Sequence, residues 1–133
     1  MTTLLHKPIT DAILKVYYEV YNQLGYGFLE KVYQNAMYFE LKSLGYKVEA
    51  QKQINVYFKK QLVGEYYSDL LVEDKVIVEL KACELIMNVH VAQIMNYLKA
   101  TPIEVGLLLN FGDEPEFKRI IYTNNRKINL KNQ

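Results

Sequence analysis

Apolar residues recur at helical spacing from Ile9 to Leu24, with Ile13, Val16, Tyr17, Val20 and Leu24 on one face. Thr10 and Asp11 supply capping groups near the start, and Gly25 offers a left-handed stop. A second stripe, Leu29, Val32, Tyr33, Ala36, Met37 and Leu41, predicts a helix from Phe28 to Leu44, ended by Gly45. The pattern then changes. Val48 to Phe58 and Leu62 to Val72 lean toward strand, separated by a Lys59-Lys60-Gln61 turn. Glu73-Asp74-Lys75 makes a tight polar connection into Val76 to Lys81, where three branched apolar residues follow one another. Val89 to Ala100 reads as a helix ended before Pro102. Glu104 to Phe111 carries a buried-strand run closed by Gly112, and Phe117 to Thr123 gives a last strand. The predicted order is α-α-β-β-β-α-β-β. Two strands joined through a helix form a crossover and run parallel, so the expectation is an α/β fold with a mixed sheet flanked by helices.

At 133 residues the chain fits a single domain, 1–133, with residues 1–7 and 124–133 expected as flexible tails. Half of the residues are apolar, and the one cysteine, Cys83, cannot form an internal bridge. No run approaches the roughly 20 apolar residues of a membrane span, so the expected location is the cytoplasm and no membrane is among the expected partners. Net charge is +1, which weighs against a dedicated nucleic-acid binder. Basic residues do gather locally at Lys59–Lys60, Lys118–Arg119 and Arg126–Lys127, where they suit either phosphates or solvent. Twelve tyrosines suit either base stacking or amphipathic packing at the rim of a core.

The segment Val76-Ile77-Val78-Glu79-Leu80-Lys81-Ala82 carries the chemistry. Strand periodicity puts Glu79 and Lys81 on one face and Val78 and Leu80 on the other. Charges on a buried strand cost several kcal/mol unless they are paired or bound to a metal. Asp69 lies ten positions before Glu79. A three-residue loop at Glu73-Asp74-Lys75 sets Asp69 opposite Glu79, whereas a two-residue loop puts it on the wrong face. Two carboxylates about 5 Å apart repel unless a divalent cation lies between them, and Mg²⁺ or Mn²⁺ suits such a donor set. Lys81 beside them could hold or help deprotonate an attacking water. A surface ion pair between Glu79 and Lys81 on an edge strand is the competing reading of the same spacing.

Gln93 and Tyr97 lie four apart on the next helix and share a face that can lean over the Glu79 strand. Glu30 sits in the first turn of the second helix, where the helix dipole already favours an acid. His90, Lys118 and Arg119 are candidate phosphate contacts, each with an ordinary surface or packing role as the alternative. Cys83 reads as an inert thiol, Asn110 as the residue tying a turn, and His6 as part of the floppy terminus.

Five segments, in order, resemble the GxxExxY protein family of the PD-(D/E)XK superfamily. They are Leu24 to Tyr33, Asp69 to Val72, Val78 to Ala82, Gln93 to Leu98 and Gly106 to Gly112, and the likeness spans about Ile9 to Ile121. The resemblance implies a restriction-endonuclease-like α-β-β-β-α-β core and Mg²⁺-dependent hydrolysis of nucleic-acid phosphodiesters, DNA in preference to RNA. It implies that Asp69, Glu79 and the Leu80 backbone carbonyl hold the metal and that Lys81 assists the water. Glu30 matches an acidic residue of the first core helix and is expected to contribute to the metal site directly or through water, and Gln93 and Tyr97 match an element bordering the active site. Two rivals share the scaffold: a non-catalytic nucleic-acid or protein-interaction module, completed by a protein partner or by a homodimer through the tyrosine-rich first helix, and a hydrolase of a small phosphorylated metabolite.

Overall fold

The computed structural model describes residues 4–128 and 130. The elements follow the predicted order: α1 (Lys7–Leu24), α2 (Glu30–Ser43), β1 (Val48–Phe58), β2 (Gln61–Val72), β3 (Val76–Lys81), α3 (Asn88–Ala100), β4 (Val105–Phe111) and β5 (Pro115–Ile121). A short 3₁₀ turn, Asn124–Arg126, follows. The five strands lie side by side in chain order. β3 and β4 are parallel, joined through α3, and the other neighbours are antiparallel.

Alternation along β3 and β4 splits the core in two. Leu70, Val72, Val78, Leu80, Leu107 and Leu109 pack under α1 and α2. Leu71, Ile77, Leu108 and Ile120 pack under Ile94, Tyr97 and Leu98 of α3. Gly106 lets α3 close on the sheet, since a Cβ there would stand 2.7 Å from Ile94 Cδ1.

Two tyrosines of the first helix, Tyr17 and Tyr21, bond to backbone groups of the sheet. Tyr17 donates its hydroxyl to the Asn110 carbonyl and accepts the Glu116 N–H at 3.0 Å. Tyr21 donates to the carbonyls of Gly112 and Asp113 at 2.7 and 2.8 Å. Tyr17 and Tyr21 thus tie the first helix to the β4–β5 region of the same chain, and only Tyr18 of the three is exposed. Tyr33 ties its own loop, donating to the Gly25 carbonyl at 2.8 Å and accepting the Phe28 N–H at 3.1 Å. Its ring stacks on Phe111 at 4.1 Å.

Both expected tails are more engaged than their composition suggests. Lys7 and Pro8 belong to the first turn of α1, and the His6 carbonyl accepts the N–H groups of Ile9 and Thr10, so His6 caps the helix. At the other end Lys127 is buried, its ammonium donating to the carbonyls of Thr101 and Ile103 at 2.7 and 2.5 Å. The rest of the expected tails, residues 1–3, 129 and 131–133, lies outside the described residues.

Candidate active site

The β2–β3 turn has three residues. Glu73 and Asp74 both adopt positive φ, 55° each, without a glycine. Lys47 holds this turn: its N–H donates to Glu73 Oε2 and its ammonium to Asp74 Oδ2, both at 2.7 Å. Val72 then pairs with Val76, Leu71 with Ile77 and Leu70 with Val78. One step further, where Asp69 would face Glu79, the backbone ladder stops.

Side chains replace it. The Asp69 N–H donates to Glu79 Oε1 at 3.0 Å, and the Leu80 N–H donates to Asp69 Oδ2 at 2.8 Å. The cause lies partly on β1. Gln51 has φ 53°, and the β1–β2 pairing skips the Gln51–Asp69 step while it holds on either side. The Gln51 side chain reaches the buried Gln34 of α2 at 2.8 Å, which fixes the kink. The Asp69 N–H, released from its strand neighbour, turns to the carboxylate of Glu79.

Glu79 is 3 % exposed. Burial first, and then the negative charge of Asp69, raise its carboxyl to about 9, so that it is protonated at neutral pH. Lys81 follows on the same face, half-buried and close enough to pull Glu79 the other way, with no ion pair among the described residues. Tyr97 covers the pair from α3. Its hydroxyl is pushed up to about 12 by burial and then by the charges of Glu79 and Asp69, with the Gln93 side chain pulling it down. Asp69, Glu79, Lys81, Gln93 and Tyr97 therefore form one cluster between the sheet and α3.

Other expected members stand elsewhere. Glu30 is exposed at the start of α2, where its charge acts on Cys83, and among the described residues no third His, Cys, Asp or Glu joins the two carboxylates. Arg119 pairs with Leu107 and shares its α1 face, donating to the Leu5 carbonyl while its Nε is buried without a partner. It is committed to Leu5, just ahead of α1, and not to the carboxylates. His90 accepts the Met87 N–H at its Nδ1, 3.0 Å, and so serves as a helix cap. Lys118 is exposed and pairs with Leu108, which pairs with Glu79, so it stands two strands away on the α3 side, about 10 Å across the sheet. Burial first raises the Cys83 thiol, and its Sγ donates to the Leu85 carbonyl at 3.1 Å.

Asn110 does more than tie a turn. Its Oδ1 accepts the Cys83 N–H at 3.1 Å and its Nδ2 donates to the Cys83 carbonyl at 2.9 Å, so it clamps the chain two residues after Lys81. Gly112 fits against the same carbonyl, where a Cβ would come within 2.4 Å. No sequence spacing signals this clamp, because its two partners are 27 positions apart.

A family profile described as the PD-(D/E)XK nuclease superfamily matches residues 7–120. The chain belongs to the PD-(D/E)XK nuclease superfamily. Comparison with curated proteins gives no significant match. Among solved structures, the fold is similar to that titled "Crystal structure of SSO0001", with a TM-score of 0.57 and 15% identity over 70% of this chain. The aligned part covers 50% of that protein, and at this identity the likeness concerns the fold. For a PD-(D/E)XK chain, an aspartate and an E-x-K pair on adjacent strands are the residues after which the superfamily is named, and membership points to nuclease chemistry. Among the described residues, no helix is long and apolar enough to cross a membrane.

Proposed function

We propose that the protein hydrolyses phosphodiester bonds of nucleic acid, DNA in preference to RNA, in a divalent-metal-dependent reaction. The observation that carries this reading is the convergence of Asp69 and Glu79 beside Lys81 in a chain of this superfamily. An acid held protonated by burial and then by a neighbouring carboxylate is an electrostatic deficit, and a cation relieves it. The donor set fits Mg²⁺ or Mn²⁺, which take one or two carboxylates and keep waters for the rest. The Leu80 carbonyl is a third donor. In a strand the N–H and C=O of one residue point to the same side, and the Leu80 N–H points to Asp69.

When bound, such an ion polarises the phosphate and neutralises the charge that develops on it. The chain's own residues do the rest. Asp69 and Glu79 hold the ion, Lys81 orients the attacking water and takes part in moving its proton, and Gln93 orients Lys81 or a phosphate oxygen. Tyr97 excludes solvent from the α3 side. The ordered motifs from Gly27-Phe28-Leu29-Glu30 to Gly112 support placement in the GxxExxY branch, with Glu30 acting on structure through the α2 dipole.

The test is a cleavage screen over single-stranded, duplex and branched substrates with Mn²⁺ or Mg²⁺. Activity that Asp69→Ala, Glu79→Ala and Lys81→Ala each abolish, with circular dichroism unchanged, is the expected result. Metal binding without cleavage of any nucleic acid would favour a small phosphorylated substrate, and no metal binding would favour a non-catalytic module.

A further inference from the structure

A cleft of about 600 Å³ lies at the ends of β3 and β4 but is unsuited to a phosphate chain. Glu84 and Asp113 line it, and Glu30 acts on Cys83 at its wall. The opposite flank of α3 differs in charge. Tyr97, over the carboxylates, touches Tyr66 of β2 with ring centroids 5.8 Å apart. Tyr66 opens a groove of about 300 Å³, lined also by Val56, Asn96 and Lys99. Lys99 in turn borders a second hollow of about 190 Å³ with Tyr122, Arg126 and Lys127. The two hollows and the site thus form one continuous strip, through Tyr66 and Lys99.

The cations on this strip are placed but unpaired. Lys99 Nζ lies 5.8 Å and Arg126 Cζ 4.5 Å from the Tyr122 ring centre. Neither forms an ion pair among the described residues. Glu104, whose charge acts on Lys127, spends Oε2 on the Asn124 N–H at 2.8 Å. A cation over a ring face keeps its N–H donors, so both side chains are pre-positioned with donors directed to solvent.

We infer that Tyr66, Asn96, Lys99, Tyr122 and Arg126 form a subsite for the nucleic-acid strand beyond the cleavage position, with phosphates held at Lys99 and Arg126. This rests on the proposed function for its substrate class. Lys99 is six residues beyond Gln93, a rise of about 9 Å, equal to about two or three nucleotides of a stacked strand. Phosphate contact there anchors the strand while the bond at Asp69 and Glu79 is attacked.

The experiment measures binding apart from cleavage. A labelled single-stranded oligonucleotide is titrated by anisotropy against Lys81→Ala protein in chelator, over a range of salt. Lys99→Gln with Arg126→Gln is compared with Lys15→Gln plus Lys42→Gln, which removes two exposed lysines of α1 and α2, the helices on the other face of the sheet. The expected result is a roughly tenfold weaker affinity for the first pair only, with a salt slope smaller by about 1.4 because each contact to a single strand contributes about 0.7. Equal affinities and slopes for the two pairs would overturn the inference, as would no binding by the parent. A strip that binds in a protein that never cleaves refutes the nuclease reading alone. Cleavage that is indifferent to Lys99 and Arg126 refutes the strip alone.

Discussion

Asp69 gives its backbone N–H to the Glu79 carboxylate at 3.0 Å, and with that exchange the β2–β3 ladder ends. Two acids stand where a sheet would place backbone amides, and one of them is buried. Most of the site's measurable properties follow from this substitution.

The first is stability against pH. Glu79 is raised to about 9 in the fold from an ordinary value near 4.5, so the folded state retains a proton that the unfolded chain has released. Stability from this group is present in full below about 4.5 and is lost as pH rises through 9. Glu79→Gln removes the titration. In metal-free buffer the variant should unfold at higher denaturant than the parent, by a margin that widens with pH at no more than about 1.4 kcal/mol per unit. A constant margin from pH 5 to 9 would show that the fold does not hold the proton on Glu79 more tightly than the unfolded chain does.

The second concerns the kink opposite Asp69. Gln51 holds a left-handed conformation that costs a non-glycine residue about 1–3 kcal/mol, and its bond to Gln34 offsets part of that cost. Gln51→Gly should be near neutral, losing the bond but relieving the strain. Gln51→Val should cost about 2 kcal/mol or more, since a branched residue resists this region. Urea unfolding of the pair checks the order, and equal stabilities would remove the kink from the account.

The third concerns the clamp after Lys81. Asn110 satisfies both backbone groups of Cys83, so Asn110→Ala strands two polar groups at about 1–3 kcal/mol each. Asn110→Asp keeps the acceptor but sets a carboxylate against the Cys83 carbonyl, and should be no better than alanine at neutral pH. Thermal unfolding reports both, and Gly112→Ala, which meets the same carbonyl, should also lower the midpoint.

The fourth tests Tyr97. Its hydroxyl is pushed up to about 12 by burial and then by the neighbouring carboxylates, so it stays neutral through the physiological range. Tyr97→Phe should cost about 1 kcal/mol, because the hydroxyl's bond with Gln93 is lost while the ring and its contact with Tyr66 remain. Any loss of cleavage should then be independent of pH between 6 and 9, as read from the rate profile.

Much of this was legible in the sequence. The E-x-K spacing fixed which side chains share a face, and the three polar residues Glu73-Asp74-Lys75 set the loop parity that brings Asp69 to Glu79. What escaped depends on long-range pairing. The face of Arg119 follows from its register with Leu107, and the role of Asn110 from a partner on another strand. The left-handed Gln51 has no glycine to announce it. Lys127 looked like solvated tail because a buried lysine capping the carbonyls after α3 has no local signature.

The two acids belong to a single hairpin, ten residues apart, while the helix that covers them arrives later in the chain. In an open hairpin water screens like charges well, so the chain can bring them side by side at little cost. The conflict takes effect only when Tyr97 and Leu98 settle onto the sheet and expel that water. Docking of α3, more than the meeting of Asp69 and Glu79, is therefore the step at which this fold comes to favour a bound proton or cation.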